Sequence, residues 1–186
     1  MTLLVLGLVL FAGVHFIPSL APSLKEKWLA GMGEGGYKGI FSLLLLGSFA
    51  LMIFGWRSAQ ADFVYSPPAN LRIFALALLA LAFVLMAVSS RKSRLRLIVR
   101  HPQLTGVALW GISHLLLNGD NRSIVLFGGM TLWAVLEIFA INKREGVWIK
   151  EEAPSWGGEL VSLLIAAVTI GVIVYIHPWL SGVTVV

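Results

Sequence analysis

The chain has 186 residues, 58% of them hydrophobic and 12% charged, with a mean hydropathy of +0.89. An average globular domain is about a quarter charged, so the composition is that of an integral membrane protein and excludes a water-soluble domain. It has no cysteine, which excludes disulfides, thiolate nucleophiles and iron–sulfur sites and leaves His, Met, Tyr and carboxylates for any metal. The net charge of +5 does not signal nucleic acid, because the cations lie in joints between apolar runs, where membrane orientation and anionic lipid headgroups account for them.

Six apolar segments, at about 2–20, 38–57, 70–90, 102–119, 122–141 and 157–180, each approach the roughly 20 residues that span a bilayer core as a helix. They predict an all-α, polytopic transmembrane bundle forming a single domain over 1–186. The first segment lacks a basic leading stretch and carries His15 and Pro18 where a cleavage site would fall, so it reads as a retained helix. The joints are polar or rich in Gly and Pro: "APSLKEKWLAGMGEGGYK", "RSAQADFVYSPPAN", "RKSRLRLIVRHP", "NGDN" and "NKREGVWIKEEAPSWGG".

Joints one, three and five hold all but Arg57, Arg72 and Arg122 of the 14 Lys and Arg residues. This asymmetry predicts that those joints, with the run "RKSRLRLIVR", are cytoplasmic and that both termini lie outside. The run itself reads first as a topogenic, lipid-facing charge cluster.

The four histidines then take their depths. His15 lies late in the first span, His101 at the cytoplasmic mouth of the fourth, His114 about 20 Å further along that helix, and His177 near the outer end of the sixth. Thirteen residues at about 100° each leave His101 and His114 on nearly opposite faces, so that pair does not chelate one ion. Trp110 and Asn118 share the face of His114, and Gly111 leaves space beside it, as a flat macrocycle requires. Leu8, Phe11 and Ala12 line the face of His15. A neutral imidazole is tolerated in lipid and is also the form that binds iron, which points to haem; a plain interhelical hydrogen bond is the competing reading. On the fifth span Glu137 shares a face with Met130 and reads either as a proton carrier or as a carboxylate snorkelling to water. Met52, Met86 and Met130 read as core filling, and Gly106, Gly111, Gly128 and Gly129 as sites of close helix packing.

The stretches "GVHFIPSL", "GEGGYKGIFSLLLLGSFALMIFGW" and above all "RHPQLTGVALWGISHLLLNGD" resemble the NnrU family of bacterial membrane proteins, over nearly the whole chain. That family is named for an association with nitric oxide and nitrite metabolism in denitrifiers. It is related to zeta-carotene isomerase, a membrane enzyme that holds haem b and isomerises a cis double bond of a polyene when its iron is ferrous. The resemblance implies haem b as cofactor and His15 and His114 as its axial ligands. The depth reading instead matches His177 to His114, so His177 stays a rival ligand. The cysteine of the isomerase's ligand switch falls near Gly111, so the resemblance does not carry that switch over.

The resemblance further implies an inner-membrane location and redox or isomerase-like chemistry on a lipophilic, isoprenoid-like substrate, or a part in nitric oxide metabolism. A haem-linked gas sensor or an accessory subunit of a nitric-oxide-handling reductase is the nearest alternative; no redox partner and no catalytic residue is singled out. At the cytoplasmic end, Arg100 reads as a cation for haem propionates, with His101 beside it, or "RHP" is a helix start with Pro102 in its first turn. The "RHP" motif also resembles the start of the cofactor region in isoprenylcysteine methyltransferase-like membrane enzymes, although Leu104 stands where those carry Tyr.

Reporter fusions test the orientation: insertions after Ser93 and Lys150 should report cytoplasm and one after Ser66 the outside. A cytoplasmic signal after Ser66 would invert the topology.

Overall fold

A computed structural model describes residues 1–150 and 152–182; the last four residues, part of the predicted outer C-terminus, lie outside the described residues. Among those described, there are six principal helices and no strand: α1 (Thr2–Leu20), α2 (Pro22–Ser58), α3 (Arg72–Val88), α4 (Pro102–Leu115), α5 (Asn121–Glu145) and α6 (Trp156–Ser181). All but α4 are long and apolar enough to cross a membrane. The chain divides into two compact units, Met1–Ala61 and Asp62–Val186.

The first unit is an antiparallel pair of α1 and α2. Between lipid-immersed helices there is no hydrophobic driving force, so close van der Waals packing must hold them together. Glycine makes that possible here. A Cβ on Gly55 would stand 2.2 Å from the Leu4 amide nitrogen, so the two backbones meet where no other residue fits. Ser48, at 0% exposure, turns its hydroxyl onto the Leu45 carbonyl at 2.7 Å, which satisfies a polar group that lipid cannot.

The expected joint at 21–37 is helical instead. Pro22 sits in the first turn, where its missing amide is harmless, and Glu34 and Lys38 pair at 2.6 Å one turn apart. The Gly-rich composition appears as a break at Gly33, with φ 68 and ψ 175, a conformation open only to glycine. The sequence signal for a turn was sound; one residue satisfies it, and the helix resumes.

In the second unit α4 packs between α3 and α5, and α3 also packs on α6. The fourth helix ends at Leu115, four residues short of the expected boundary, so its 14 residues span about 21 Å against a hydrocarbon core of about 30 Å. Irregular backbone is tolerated at such depth only where protein covers it, and the segment 62–68 does so. Val64 and Tyr65 amides donate to the Gly119 carbonyl at 2.9 and 3.0 Å, and Asn121 exchanges side-chain and backbone hydrogen bonds with Asp62. The other joints also carry structure. Ser93 donates to Glu159 at 3.1 Å, the Arg94 amide donates to the same carboxylate, and the Arg94 guanidinium lies 4.2 Å over the Trp156 ring. Part of the basic run is therefore a clamp on the start of α6, where an acidic first turn also suits the helix dipole.

Candidate functional site

Each intramembrane histidine is oriented through Nδ1. His114 Nδ1 lies 2.8 Å from the Trp110 carbonyl and His15 Nδ1 lies 2.9 Å from the Phe11 carbonyl, in both cases one turn back on its own helix. A carbonyl only accepts, so the proton is on Nδ1 and the lone pair of the neutral ring is on Nε2. In His177, both Nδ1 and the backbone carbonyl lie within hydrogen-bond reach of the Ser181 hydroxyl, at 3.1 and 3.0 Å, so this ring too is held through Nδ1. A carbonyl on Nδ1 is the arrangement that presents an imidazole to a metal, because it fixes the ring and raises its basicity.

The surroundings of the rings are aromatic. Phe127 stacks on His114 at 4.2 Å and 23°, and Trp110 lies 4.9 Å away on its own helix. Phe11 and Phe41 stand 4.2 and 5.6 Å from His15, in the first unit. Coordination runs in the plane of an imidazole, so rings on its faces do not compete for Nε2. They hold the neutral ring in an apolar setting. Phe127, 5% exposed, owes its position to a π-helical turn over Ile124–Gly128, a local widening often found at functional sites. No hydrophobic spacing announces such a turn, so this contact leaves no sign in the residue pattern.

Of the residues expected around His114, the structure keeps Trp110 and Asn118 against it. Asn118 donates its side-chain amide to the His114 carbonyl at 2.9 Å, which caps the end of α4. His177 lies within electrostatic range of His114 inside the same unit. The open space expected beside Gly111 is not there: a Cβ at that position would meet Thr131 Oγ1 at 2.1 Å and the Phe127 carbonyl at 2.6 Å. Gly111 is where α5 closes on α4, so its place is in helix packing and not against a macrocycle, and a cysteine there would collide with α5. Gly106 allows a similar approach to the Ala82 carbonyl, whereas a Cβ on Gly128 would meet open space.

Arg100 and His101 stand apart, about 20 Å from His114 along α4. His101 caps α4 and donates Nε2–H to Asn142 Oδ1 at 2.9 Å, the opposite tautomer from His15 and His114. Arg100 donates to the Gly146 carbonyl at 2.8 Å and pairs with Glu145 at 3.5 Å, placing a cation at the C-terminus of α5 as the helix dipole favours. Arg100 thus ties two helix ends together and has guanidinium donors left over. Glu137 is 5% exposed and shares the buried α5 face of Met130, Trp133 and Ala134, so it does not snorkel to water. Among the described residues, no three His, Asp or Glu side chains gather as they would for a bare ion.

The C-terminal end of α4 also depends on Tyr65 and Asp120, which hydropathy and motif spacing do not single out. The Tyr65 hydroxyl donates to the Leu115 and Asn118 carbonyls; burial, then the nearby Asp120 charge, raises its pKa and keeps it a donor. Asp120 begins α5 and accepts from the Ser123 hydroxyl at 2.7 Å and the Ser123 amide at 3.1 Å. The rule of Asp or Asn three residues before a polar partner would have found this cap.

The arrangement is that of a polytopic α-helical membrane protein with Nδ1-anchored histidines on its helices. The NnrU protein family model matches residues 3–185, and the chain belongs to that family. Neither a curated protein nor a solved structure matches it.

Burial opposes the Asp120 charge, but the Ser123 hydrogen bonds and the Arg122 guanidinium outweigh it, so its pKa lies below the ordinary aspartate value. A depressed folded-state pKa contributes stability above the unfolded value and loses it as pH falls through the folded one. Asp120→Ala should therefore melt lower than the parent near neutral pH, with the gap closing in acid. A gap that stays constant into acid would mean the carboxylate is not the stabilising group.

Proposed function

We propose that this NnrU-family protein binds haem b in the membrane through His114 Nε2 and acts on a lipophilic, isoprenoid-like substrate or on nitric oxide. The observation that carries the reading is the tautomer of His114, held by the Trp110 carbonyl with its lone pair on Nε2. The donor chemistry fits the group: haem iron takes neutral imidazole nitrogen, and the chain has no cysteine through which haem could be attached covalently. The kinship of the family with a haem-dependent isomerase supports the same reading.

When bound, haem supplies one-electron and ligand-binding chemistry at iron. The chain's own residues would hold the His114 imidazole that binds it. Trp110 fixes its proton, Phe127 covers one face of the ring, and the Asn118 and Tyr65 hydrogen bonds close the helix end that carries it. A gas sensor or an accessory subunit of a nitric-oxide-handling reductase would need the same ligand and no further catalytic group.

Absorption spectra of purified variants test the ligand. His114→Ala should lose haem or turn it high-spin, while His101→Ala, whose Nε2 proton is given to Asn142, should leave the spectrum unchanged. Among the second-ligand candidates, a low-spin spectrum lost in His177→Ala and kept in His15→Ala favours the partner within the same unit; the reverse favours the pair implied by the family resemblance. An intact spectrum in His114→Ala overturns the proposal.

A further inference from the structure

The other end of α4 carries a feature that the histidines do not use. A cavity of about 420 Å³ opens there between the 93–97 turn, the start of α4 and the segment after α5; its polar walls are Arg96, Arg100, His101, Glu145 and Glu152, with Trp148 beside them. Cations and carboxylates share one wall. Glu145 is already engaged by Arg100 at 3.5 Å and Arg144 at 3.1 Å, and Arg100 is only 19% exposed. Arg100 has five N–H groups, and contacts to Gly146 and Glu145 leave donors over for a ligand. A purely anionic ligand would face Glu152, and a purely cationic one would face Arg96 and Arg100. A ligand carrying both charges meets a partner for each.

The rim of the cavity is apolar. Val147 and Ile149 belong to the lining and are 88% and 86% exposed, and Ile98 next to the turn is 75% exposed. The Lys150 ammonium lies 5.0 Å over the Trp148 ring, an amphipathic pairing typical of the interface between water and lipid. Aliphatic side chains this exposed, just past the end of a spanning helix, are at home among acyl chains and costly in water.

We infer that this cavity holds the zwitterionic head of a membrane aminophospholipid, its phosphate against Arg96 and Arg100 and its ammonium against Glu152, with the acyl chains running past Val147 and Ile149. Guanidinium recognises phosphate through paired N–H donors, and a carboxylate accepts from a primary ammonium in a charge-assisted hydrogen bond. The inference does not depend on haem, since the cavity lies at the end of α4 away from His114.

Native mass spectrometry of the delipidated full chain in detergent, titrated with phosphatidylethanolamine and separately with phosphatidylglycerol, tests it. Phosphatidylethanolamine should bind about tenfold more tightly, the size of one charge-assisted hydrogen bond. Glu152→Gln, a change at an exposed side chain, should remove that preference, weakening phosphatidylethanolamine binding while phosphatidylglycerol, freed of the Glu152 charge, binds at least as well as to the parent, and Arg96→Gln should weaken both lipids. Equal binding of the two lipids by the parent, or an undiminished preference in Glu152→Gln, overturns the assignment. So does displacement of the lipid by soluble O-phosphoethanolamine or S-adenosylmethionine at equal concentration, which would place a water-soluble zwitterion in the cavity.

Discussion

An imidazole inside a bilayer must be neutral, and a neutral imidazole must give its one proton to something. In α4 the acceptor is the Trp110 carbonyl, one turn before His114. The helix solves the problem with its own backbone, without needing a polar partner from a neighbour, and in doing so it settles which nitrogen keeps the lone pair. His15 repeats the solution in the first unit with the Phe11 carbonyl. Everything proposed for the histidines follows from that choice of proton position. A ring with Nδ1 bound to backbone is a ready donor at Nε2, whereas His101, bound through Nε2 to Asn142, serves to join two helix ends.

The same demand for satisfied polar groups shapes the rest of the second unit. Because α4 is too short to cross the hydrocarbon core by itself, its last carbonyls would face lipid unprotected. Tyr65, Asn118 and the 62–65 backbone supply the donors, and Asp120 starts the next helix at once. The irregular turn between α4 and α5 is thus stitched from both sides, and the π-helical turn that follows carries Phe127 to His114. At the opposite end, Arg100 and His101 tie the start of α4 to the end of α5. The short helix is fastened at both ends, which keeps His114 at a fixed depth.

Much of this was legible in the residues. Hydropathy located the spanning segments, and α1 and α6 fall within a residue of their expected ends, because a long apolar run bounded by Pro, Ser or Gly has only one way to be satisfied in lipid. Composition misled where a polar, Gly-rich stretch was read as a loop: after the break at Ala21, residues 22–37 stay helical apart from Gly33, since i to i+4 pairing such as Glu34 with Lys38 supports a helix that hydropathy does not register. The end of α4 was overestimated because Leu116 and Leu117 continue its apolar character while Asn118 already turns the chain. Gly111 was legible as a small residue, but sequence could not tell whether cofactor or helix fills the gap beside it; Thr131 and Phe127 do. The Phe127 contact depends on a change of helical pitch that leaves no periodic trace.

The account's central claim is that the membrane-embedded imidazole of His114 holds iron, and the most direct measurement is the dithionite-reduced pyridine haemochrome of the detergent-purified protein expressed with haem supplied. The account predicts a b-type spectrum, with the haem extractable into acidified organic solvent because nothing in the chain can attach it covalently. A protein that remains colourless under those conditions would contradict it and leave His114 as a residue that serves only its own helix.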